Sequence, residues 1–393
     1  MRIAAVVVAM WGCSSHDAVP ADAPPLDASP HLLCSPISML ADNFQGPLGL
    51  WTSSPGIVEA QLNQRLEIKV TAPATWSSLH YFDVREGSFV ISLDSDSATP
   101  KIDLEIVSQI AGNRAGFYRN GATMELRRMT DGVDATVTST AYDATMKYLR
   151  FRVAGDELAF ETSPDGQTFT ALATAPADGL TFVKVAMSFD TPGPSYTAFV
   201  AAANGGTASG TACPIAELAD DFSGDLDKWA ASTTSGGGTI TNADGIAHLT
   251  FTTTGTAEDM ELTSSTIYDI RSSALTLELV QMVDVATTQT FELVVRSSST
   301  SAVFEQMGGK LTAGLAAKPP ISTNTFDPIA MRWLRIKAGA TSVSWEVSPD
   351  DNAWTQLAET MQIDGLDQVD VSIVAAGKAT SPSEAQIDNV GGL

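Results

Sequence analysis

Two similar stretches, residues 148–172 and 333–357, constrain the fold of this chain more than any other feature. The first is YLRFRVAGDELAFETSPDGQTFTAL and the second is WLRIKAGATSVSWEVSPDDNAWTQL. In both, apolar and polar residues alternate, which predicts strands with one buried face. A Ser-Pro-Asp sequence follows the second run of each copy, and it suits a type I turn. We therefore predict a three-stranded antiparallel meander in each half of the chain.

The duplication extends beyond the meander. Segments 40–51 and 218–229 share seven of twelve residues at an offset of 178 positions, and Phe-Asp-Val-Arg at 82–85 corresponds to Tyr-Asp-Ile-Arg at 268–271 at an offset of 186. Offsets that differ by only a few residues indicate equal strands joined by loops of different length. Strand-like runs recur between Gly, Asn, Asp, Ser and Pro clusters, and no long segment has a helical period. The sequence therefore predicts an all-β protein with two tandem antiparallel β-sandwich domains of jelly-roll type.

These motifs resemble a known family. The Asp-x-Phe opening, the Asp-[Val/Ile]-Arg strand start, the aromatic-Leu-Arg strand and the Ser-Pro-Asp turn are similar to concanavalin A-like lectin/glucanase (laminin-G-like) domains. The resemblance covers residues 40–200 and 218–390 and implies a fold rather than an activity. Jelly rolls of this kind bind sugars through exposed aromatic and polar groups. The expected domains are jelly roll 1 at 34–203, a small-residue linker at 204–212, and jelly roll 2 at 213–393.

The N-terminus has the features of an export signal. A positive start and a short apolar run in residues 1–12 are typical of a signal peptide. Cys13 follows directly, as in a bacterial lipoprotein, where that cysteine becomes the lipidated first residue. Residues 13–33 are rich in Pro, Ala, Ser and Asp, which predicts a disordered tether. We expect an exported protein, lipid-anchored at Cys13 to the bacterial outer membrane or cell surface; the alternative is an ordinary secretion signal in which Cys13 is incidental.

The chain is strongly acidic, with 22 Lys and Arg against 46 Asp and Glu and a formal net charge of −24. Nucleic-acid phosphates and anionic membrane surfaces both require basic patches. The composition therefore argues against a nucleic-acid partner and limits expected membrane contact to the lipid anchor. An acidic surface favours solubility.

Two further cysteines, Cys34 and Cys213, each precede the opening segment of one domain. In an exported protein two such cysteines usually pair, so we expect a disulfide that fixes the relative orientation of the domains. Two free thiols are the alternative, because the bond needs Cα atoms within about 7 Å.

No catalytic constellation is present in the sequence. Glucanases of the resembled superfamily carry a Glu-x-Asp-x-x-Glu strand that places two carboxyls about 5–10 Å apart across the glycosidic bond. The nearest sequence here is Asp103-Leu104-Glu105, and no third acid follows it. The four histidines form no metal-spaced pair. We therefore expect a protein that is not an enzyme.

Candidate ligand-binding residues lie in domain 1. Aromatic and guanidinium side chains that point outward from a sheet can contact sugars, and the candidates are Trp76, Tyr81, Tyr118, Arg119 and Arg127. The alternative is that the aromatic residues belong to the core and the arginines are merely solvated. We also expect four duplicated tryptophans to be core residues: Trp51, Trp229, Trp345 and Trp354.

A structural Ca²⁺ site is a further hypothesis for domain 2, and no other cofactor is expected. Asp220 near the first strand and Asp388 on the last could together supply the oxygen ligands that Ca²⁺ needs. Turn and capping roles would explain the same acidic residues equally well.

Taken together, these features predict a non-enzymatic cell-envelope lipoprotein whose two lectin-like domains bind glycan or protein ligands. One alternative is a structural or adhesive surface protein that binds no sugar. A degenerate glycoside hydrolase is the other, and fold resemblance alone does not favour it.

Overall fold

The structure is a computed structural model. It describes residues 34–392 except 46–47, 63–64, 94–100, 144, 191–195, 207–208, 236, 253–254, 284–287, 298, 362 and 380–382. The predicted signal peptide, Cys13 and the predicted tether lie outside the described residues. Within the part of the chain that is described, no helix is long and apolar enough to cross a membrane.

Strands make up almost all regular structure of the described residues, which otherwise contain three short 3₁₀ helices at Ile37–Met39, Asn204–Gly206 and Ile215–Leu218. The first half of the chain forms β1 (Trp51–Ser53), β2 (Ile57–Leu62), β3 (Arg65–Val70), β4 (Ala74–Ser78), β5 (Phe82–Asp83), β6 (Ser88–Leu93), β7 (Lys101–Ser108), β8 (Arg114–Asn120), β9 (Thr123–Thr130), β10 (Val133–Ala141), β11 (Tyr148–Ala154), β12 (Glu157–Ser163), β13 (Thr170–Pro176), β14 (Phe182–Phe189) and β15 (Tyr196–Ala203). The second half forms β16 (Cys213–Pro214), β17 (Trp229–Ser235), β18 (Thr239–Ala243), β19 (Ile246–Phe251), β20 (Ala257–Ser264), β21 (Tyr268–Asp269), β22 (Ser273–Gln281), β23 (Thr290–Ser297), β24 (Ser301–Met307), β25 (Lys310–Leu315), β26 (Ser322–Thr325), β27 (Trp333–Ala338), β28 (Ser342–Ser348), β29 (Thr355–Met361), β30 (Val369–Lys378) and β31 (Ser383–Gly392).

Each half of the chain builds two packed sheets, named here the first and second sandwich. In the first sandwich the strand orders are β1-β4-β14-β7-β8-β9-β10 and β13-β12-β11-β6-β15-β3-β2. The second sandwich repeats them as β17-β20-β30-β23-β24-β25-β26 and β29-β28-β27-β22-β31-β19-β18. These pairings are antiparallel, and the short β16 adds a parallel pair with β21. The predicted all-β class, with two antiparallel jelly-roll sandwiches, is confirmed.

The predicted meander is present in both sandwiches, as β11–β13 and β27–β29. The Ser-Pro-Asp turn between its last two strands is held by its own side chains. The Asp165 carboxylate accepts the backbone N–H groups of Gln167 at 2.9 Å and Thr168 at 3.0 Å, and Asp350 does the same for Asn352 and Ala353. These bonds hold the pKa of Asp165 down at about 2. The turn motif is therefore structural in both copies.

The core of the first sandwich is built around stacked aromatic rings. Trp51 and Trp76 stack with centroids 4.0 Å apart, and Phe44 packs against Trp76 at 5.9 Å. In the second sandwich Trp229 and Trp345 are buried. The prediction of buried rings is thus confirmed for Trp51, Trp229 and Trp345. Trp354 differs, because it lies just before β29 and half exposed, where the Arg335 guanidinium stacks on it at 3.9 Å.

The two sandwiches meet through interlocked segments. Cys34, at the start of the first, is buried in the hydrophobic core of the second, while Ile267 of the second packs in the core of the first. Cys34 and Cys213 form a disulfide with Cα atoms 4.7 Å apart. The backbone N–H of Tyr81 donates to the carbonyl of Ser265 at 2.8 Å. The junction is therefore built from a covalent bond, shared apolar packing and main-chain hydrogen bonds.

In the predicted linker, 204–212, the described residues Asn204 and Ser209 contact the opening segment of the first sandwich. The Asn204 side chain accepts the N–H of Val90 at 2.8 Å and donates to the carbonyls of Ile37 and Leu40 at 2.8 and 3.1 Å. An amide that satisfies three backbone groups at once fixes the segment to the sheet.

Candidate functional site

The first sheet of the first sandwich carries charged side chains at the centre of its outward face. On β7 to β9 the core-facing residues alternate with outward ones, as a half-buried strand requires. Asp103 and Glu105 on β7 face outward beside Tyr118 on β8 and Arg127 on β9. Asp103 is the cross-strand neighbour of Tyr118, and Gly116 separates Glu105 from Arg127 in the next row. Two of the five predicted ligand-binding residues, Tyr118 and Arg127, are therefore neighbours.

Tyr118 is fixed by its neighbours rather than freely mobile. Its hydroxyl donates to the carboxylate of Glu105, whose Oε1 also lies 3.4 Å from Arg114 Nε. The ring crosses Gly116, where a Cβ would lie 2.7 Å from the ring carbon Cε2, so a side chain at 116 would displace the ring. Burial raises the pKa of Tyr118, and the hydrogen bond to Glu105 raises it further. The tyrosine therefore stays a neutral donor.

Arg127 borders the same ring. Its guanidinium carbon lies 4.9 Å from the Tyr118 centroid, within the range of a cation–π contact. Glu125 and Asp134 hold the guanidinium, with Nη2 at 2.6 Å from Glu125 Oε2 and Nη1 at 3.5 Å from Asp134 Oδ2. We name Glu105, Arg114, Tyr118 and Arg127 the Tyr118 face. It offers a half-exposed ring beside charged hydrogen-bonding groups.

The prediction that Trp76 and Arg119 point outward to bind a ligand is wrong, because both side chains lie in the interior. Trp76 has no exposed surface because β4 turns it into the core against Trp51. Arg119 is 5% exposed and stacks on the Tyr142 ring at 3.9 Å, on the core side of β8. Neither side chain is available to a ligand at the surface.

Tyr81 belongs to the junction between the sandwiches. Its N–H donates to Ser265 and its carbonyl accepts the Thr266 hydroxyl at 3.0 Å. The Lys184 ammonium lies 4.8 Å from its ring centroid, and burial raises the pKa of its hydroxyl. The observed contacts of Tyr81 are therefore those of an interface residue.

A cleft of about 520 Å³ lies between the two sandwiches. His80 enters it from the first sandwich, and Asp370 and Arg296 enter it from the second. His80 Nε2 is 3.8 Å from Asp370 Oδ2, and Arg296 Nη1 is 3.1 Å from Asp370 Oδ1. Burial lowers the pKa of His80 to about 4, with Lys184 and Arg296 adding to the effect, and burial raises the pKa of Asp370 to about 6. Nothing in the sequence signals this pair, because its members are brought together only by the docking of the two sandwiches.

The two candidate calcium ligands have different surroundings. Asp220 Oδ1 accepts the N–H of Phe222 at 2.9 Å, and its Oδ2 accepts the indole N–H of Trp229 at 2.9 Å. Asp388 lies half-buried on β31, and burial raises its pKa. In the described part of the chain, no group of three or more His, Cys, Asp and Glu side chains could hold a metal ion. The contacts of Asp220 are those of a turn residue, which was the alternative interpretation.

Comparisons with known proteins give fold-level similarity only. No protein-family model matches the chain, and no curated protein matches it. Among solved structures it is similar to the Ca²⁺-bound exoplasmic/lumenal domain of VIP36, with 8% identity and a TM-score of 0.36 over 45% of this chain and 90% of that one. It is also similar to the Crh5 transglycosylase in complex with NAG, with 11% identity and a TM-score of 0.35 over 45% of this chain and 84% of that one. A third similar structure is a glycosyl hydrolase family protein from Mycobacterium fortuitum, with 12% identity and a TM-score of 0.33 over 44% of this chain and 98% of that one. These TM-scores and identities are too low to assign a function, and the architecture is established by the strands described above.

Proposed function

We propose that the protein is an exported, lipid-anchored binding protein without enzymatic activity, and that the Tyr118 face binds a glycan. The observation that carries this proposal is the fixed, half-exposed Tyr118 ring between the carboxylate of Glu105 and the guanidinium of Arg127. An aromatic ring can pack on the apolar side of a sugar ring, while neighbouring charged groups hydrogen-bond its hydroxyls. Because these side chains are already held in place, little conformational entropy is lost on binding.

The surroundings of the carboxylates favour binding over hydrolysis. Glycoside hydrolysis needs one carboxyl to transfer a proton while a second acts as nucleophile or base. Glu105 instead accepts the Tyr118 hydroxyl and lies beside Arg114, and Asp103 lies 3.6 Å from the Lys101 ammonium. In these positions the carboxylates orient neighbouring side chains.

A glycan array on the full-length protein tests the proposal, with Tyr118→Ala and Arg127→Ala as variants. We expect the glycans that bind the wild type to bind each variant at least about tenfold more weakly. Tyr118→Ala removes the stacking ring, and Arg127→Ala removes a charge-assisted hydrogen bond. Arg271→Ala is the matched control, since this exposed arginine of the second sandwich pairs with Asp269, two residues away. Absence of glycan binding would favour the structural or adhesive alternative. Glycan binding that is unchanged in both variants would show that the Tyr118 face is not the binding site. Release of reducing sugars from a polysaccharide would favour the hydrolase.

The anchor is tested separately at Cys13. We expect Cys13→Ser to abolish labelling by a fatty-acid analogue and to shift the protein out of the membrane fraction, because the thiol is the expected site of lipidation. The unmutated protein is the control. If it carries no lipid label and fractionates like the variant, the lipoprotein proposal is wrong.

A further inference from the structure

A second pocket lies on the outward face of the other sheet of the first sandwich, away from the Tyr118 face. It has a volume of about 370 Å³ and is lined by residues of β6 and β11 and by Asn204, Gly205 and Ser209. We name it the Tyr148 pocket. None of the described residues that line it carries a formal charge, and its polar groups and aromatic ring come from Ser38, Ser88, Ser92, Asn204, Ser209 and Tyr148.

One buried hydroxyl in this pocket has no partner. Ser92 is 3% exposed, and its Oγ makes no hydrogen bond to any of the described residues. It points outward because Ile91 and Leu93, on either side, are core residues. A buried hydroxyl without a partner is unfavourable, and native structures seldom leave one unexplained. A ligand hydroxyl bound in the pocket would supply the missing partner.

Tyr148 forms the aromatic wall of the same pocket. It lies directly across the strand pair from Ser92 and is half-exposed. Its ring packs on Gly166 in the Ser-Pro-Asp turn, where the backbone has φ +73° and a Cβ would lie 2.8 Å from the ring carbon Cε1. Glycine at 166 therefore both allows the turn and leaves room for the ring.

The second sandwich has the same strands but fills the equivalent place. Trp333 occupies the position of Tyr148, and Glu278 lies opposite it in the position of Ser92. Glu278 is 5% exposed, accepts a hydrogen bond from Asn389 at 2.6 Å and pairs with Arg332. A buried carboxylate paired with the half-exposed Arg332 thus occupies this position in one copy, whereas the other copy has a small hydroxyl beside the pocket.

We propose that the Tyr148 pocket binds a neutral saccharide of one or two rings, at a site separate from the Tyr118 face. An uncharged lining has no counter-charge for an anionic or cationic ligand, which would lose its hydration without compensation. The serine hydroxyls can donate to and accept from sugar hydroxyls, and the Tyr148 ring offers an apolar surface. The volume lies at the lower end of the range of about 300–1,000 Å³ for small-ligand sites.

Calorimetric titration of the full-length protein with maltose, cellobiose, lactose and chitobiose tests this proposal, with glucuronate as the charged comparison. For the disaccharide that binds most tightly, we expect Tyr148→Ala to weaken binding at least about tenfold and Ser92→Val about fivefold. Trp333→Ala, the same change in the second sandwich, should leave binding unchanged. Ser92→Val removes an unpartnered hydroxyl without creating a cavity, so this variant keeps the test valid even where Tyr148→Ala unfolds.

The outcomes separate this inference from the function proposed above. Absence of binding by all four disaccharides at millimolar concentration would overturn the inference, as would equal affinities in wild type, Tyr148→Ala and Ser92→Val. Binding that is lost in Tyr118→Ala and kept in Tyr148→Ala would overturn it while supporting the Tyr118 face. Tighter binding of glucuronate than of any neutral sugar would contradict the proposed ligand class.

Discussion

The Cys34→Ala/Cys213→Ala double variant is expected to lose up to about 5 kcal/mol of unfolding free energy. The two cysteines are 179 residues apart in sequence, so the bond removes a large loop-closure entropy from the unfolded chain. Alanine is the suitable replacement because both positions are buried, and serine would add hydroxyls that need partners. Calorimetry and urea unfolding of the full-length protein measure the loss.

The structure predicts a larger effect than the sequence does. From sequence the bond would mainly orient two domains that melt alone. In the structure Cys34 belongs to the core of the second sandwich and Ile267 to the core of the first, so unfolding one exposes part of the other. We therefore expect one cooperative transition in the oxidised wild type. Cys13→Ala is the control and should leave that transition unchanged. A double variant that melts like wild type would show that the junction needs no covalent bond.

The strands were predictable because period-two alternation depends only on local sequence. The runs at Tyr148–Ala154 and Trp333–Ala338 alternate clearly, and both are strands. The side of the sheet was harder to predict. Arg119 was predicted to point outward because of its charge, but it shares its strand face with the buried Phe117. A ring two strands further on, Tyr142, made the buried guanidinium tolerable by stacking on it.

The sites were less predictable because they depend on contacts between distant segments. Tyr118 and Arg127 were identified as candidates from residue type, but the role of Glu105 follows from the β7–β8 pairing. One wall of the Tyr148 pocket is Asn204, which is hydrogen-bonded to Val90 of the sheet and to Ile37, although the small residues of 204–212 suggested a linker. The local sequence pattern therefore predicts the strands, whereas contacts between distant segments determine where pockets and exposed binding residues lie.

The last prediction concerns the pH dependence of the junction, where His80 and Asp370 have opposite effects. The pKa of His80 falls from about 6.5 in the unfolded chain to about 4, because burial, Lys184 and Arg296 disfavour the imidazolium even with Asp370 at 3.8 Å. Its contribution to stability is therefore present above pH 6.5 and is lost as the pH falls towards 4. The shift corresponds to about 3 kcal/mol.

Asp370 has the reverse dependence. Its pKa is raised to about 6, because burial and, to a lesser extent, Glu261 raise it while Arg296 opposes the shift. The contribution of Asp370 to stability is complete below about pH 4 and is lost as the pH rises through 6. Between these values the folded protein takes up a proton at Asp370 while the unfolded chain takes one up at the imidazole. The two effects offset each other in the wild type.

Single substitutions should separate the two effects. As the pH falls from 6.5 to 4, we expect the unfolding free energy of Asp370→Asn to decrease by about 3 kcal/mol relative to wild type, because the effect of His80 is no longer offset. The unfolding free energy of His80→Gln should increase by a similar amount relative to wild type over the same pH range, because only the effect of Asp370 remains. Urea unfolding of the three proteins at a series of pH values measures both differences, and taking differences cancels the titration of the other carboxylates. Parallel curves for the three proteins would show that neither group changes its pKa on folding.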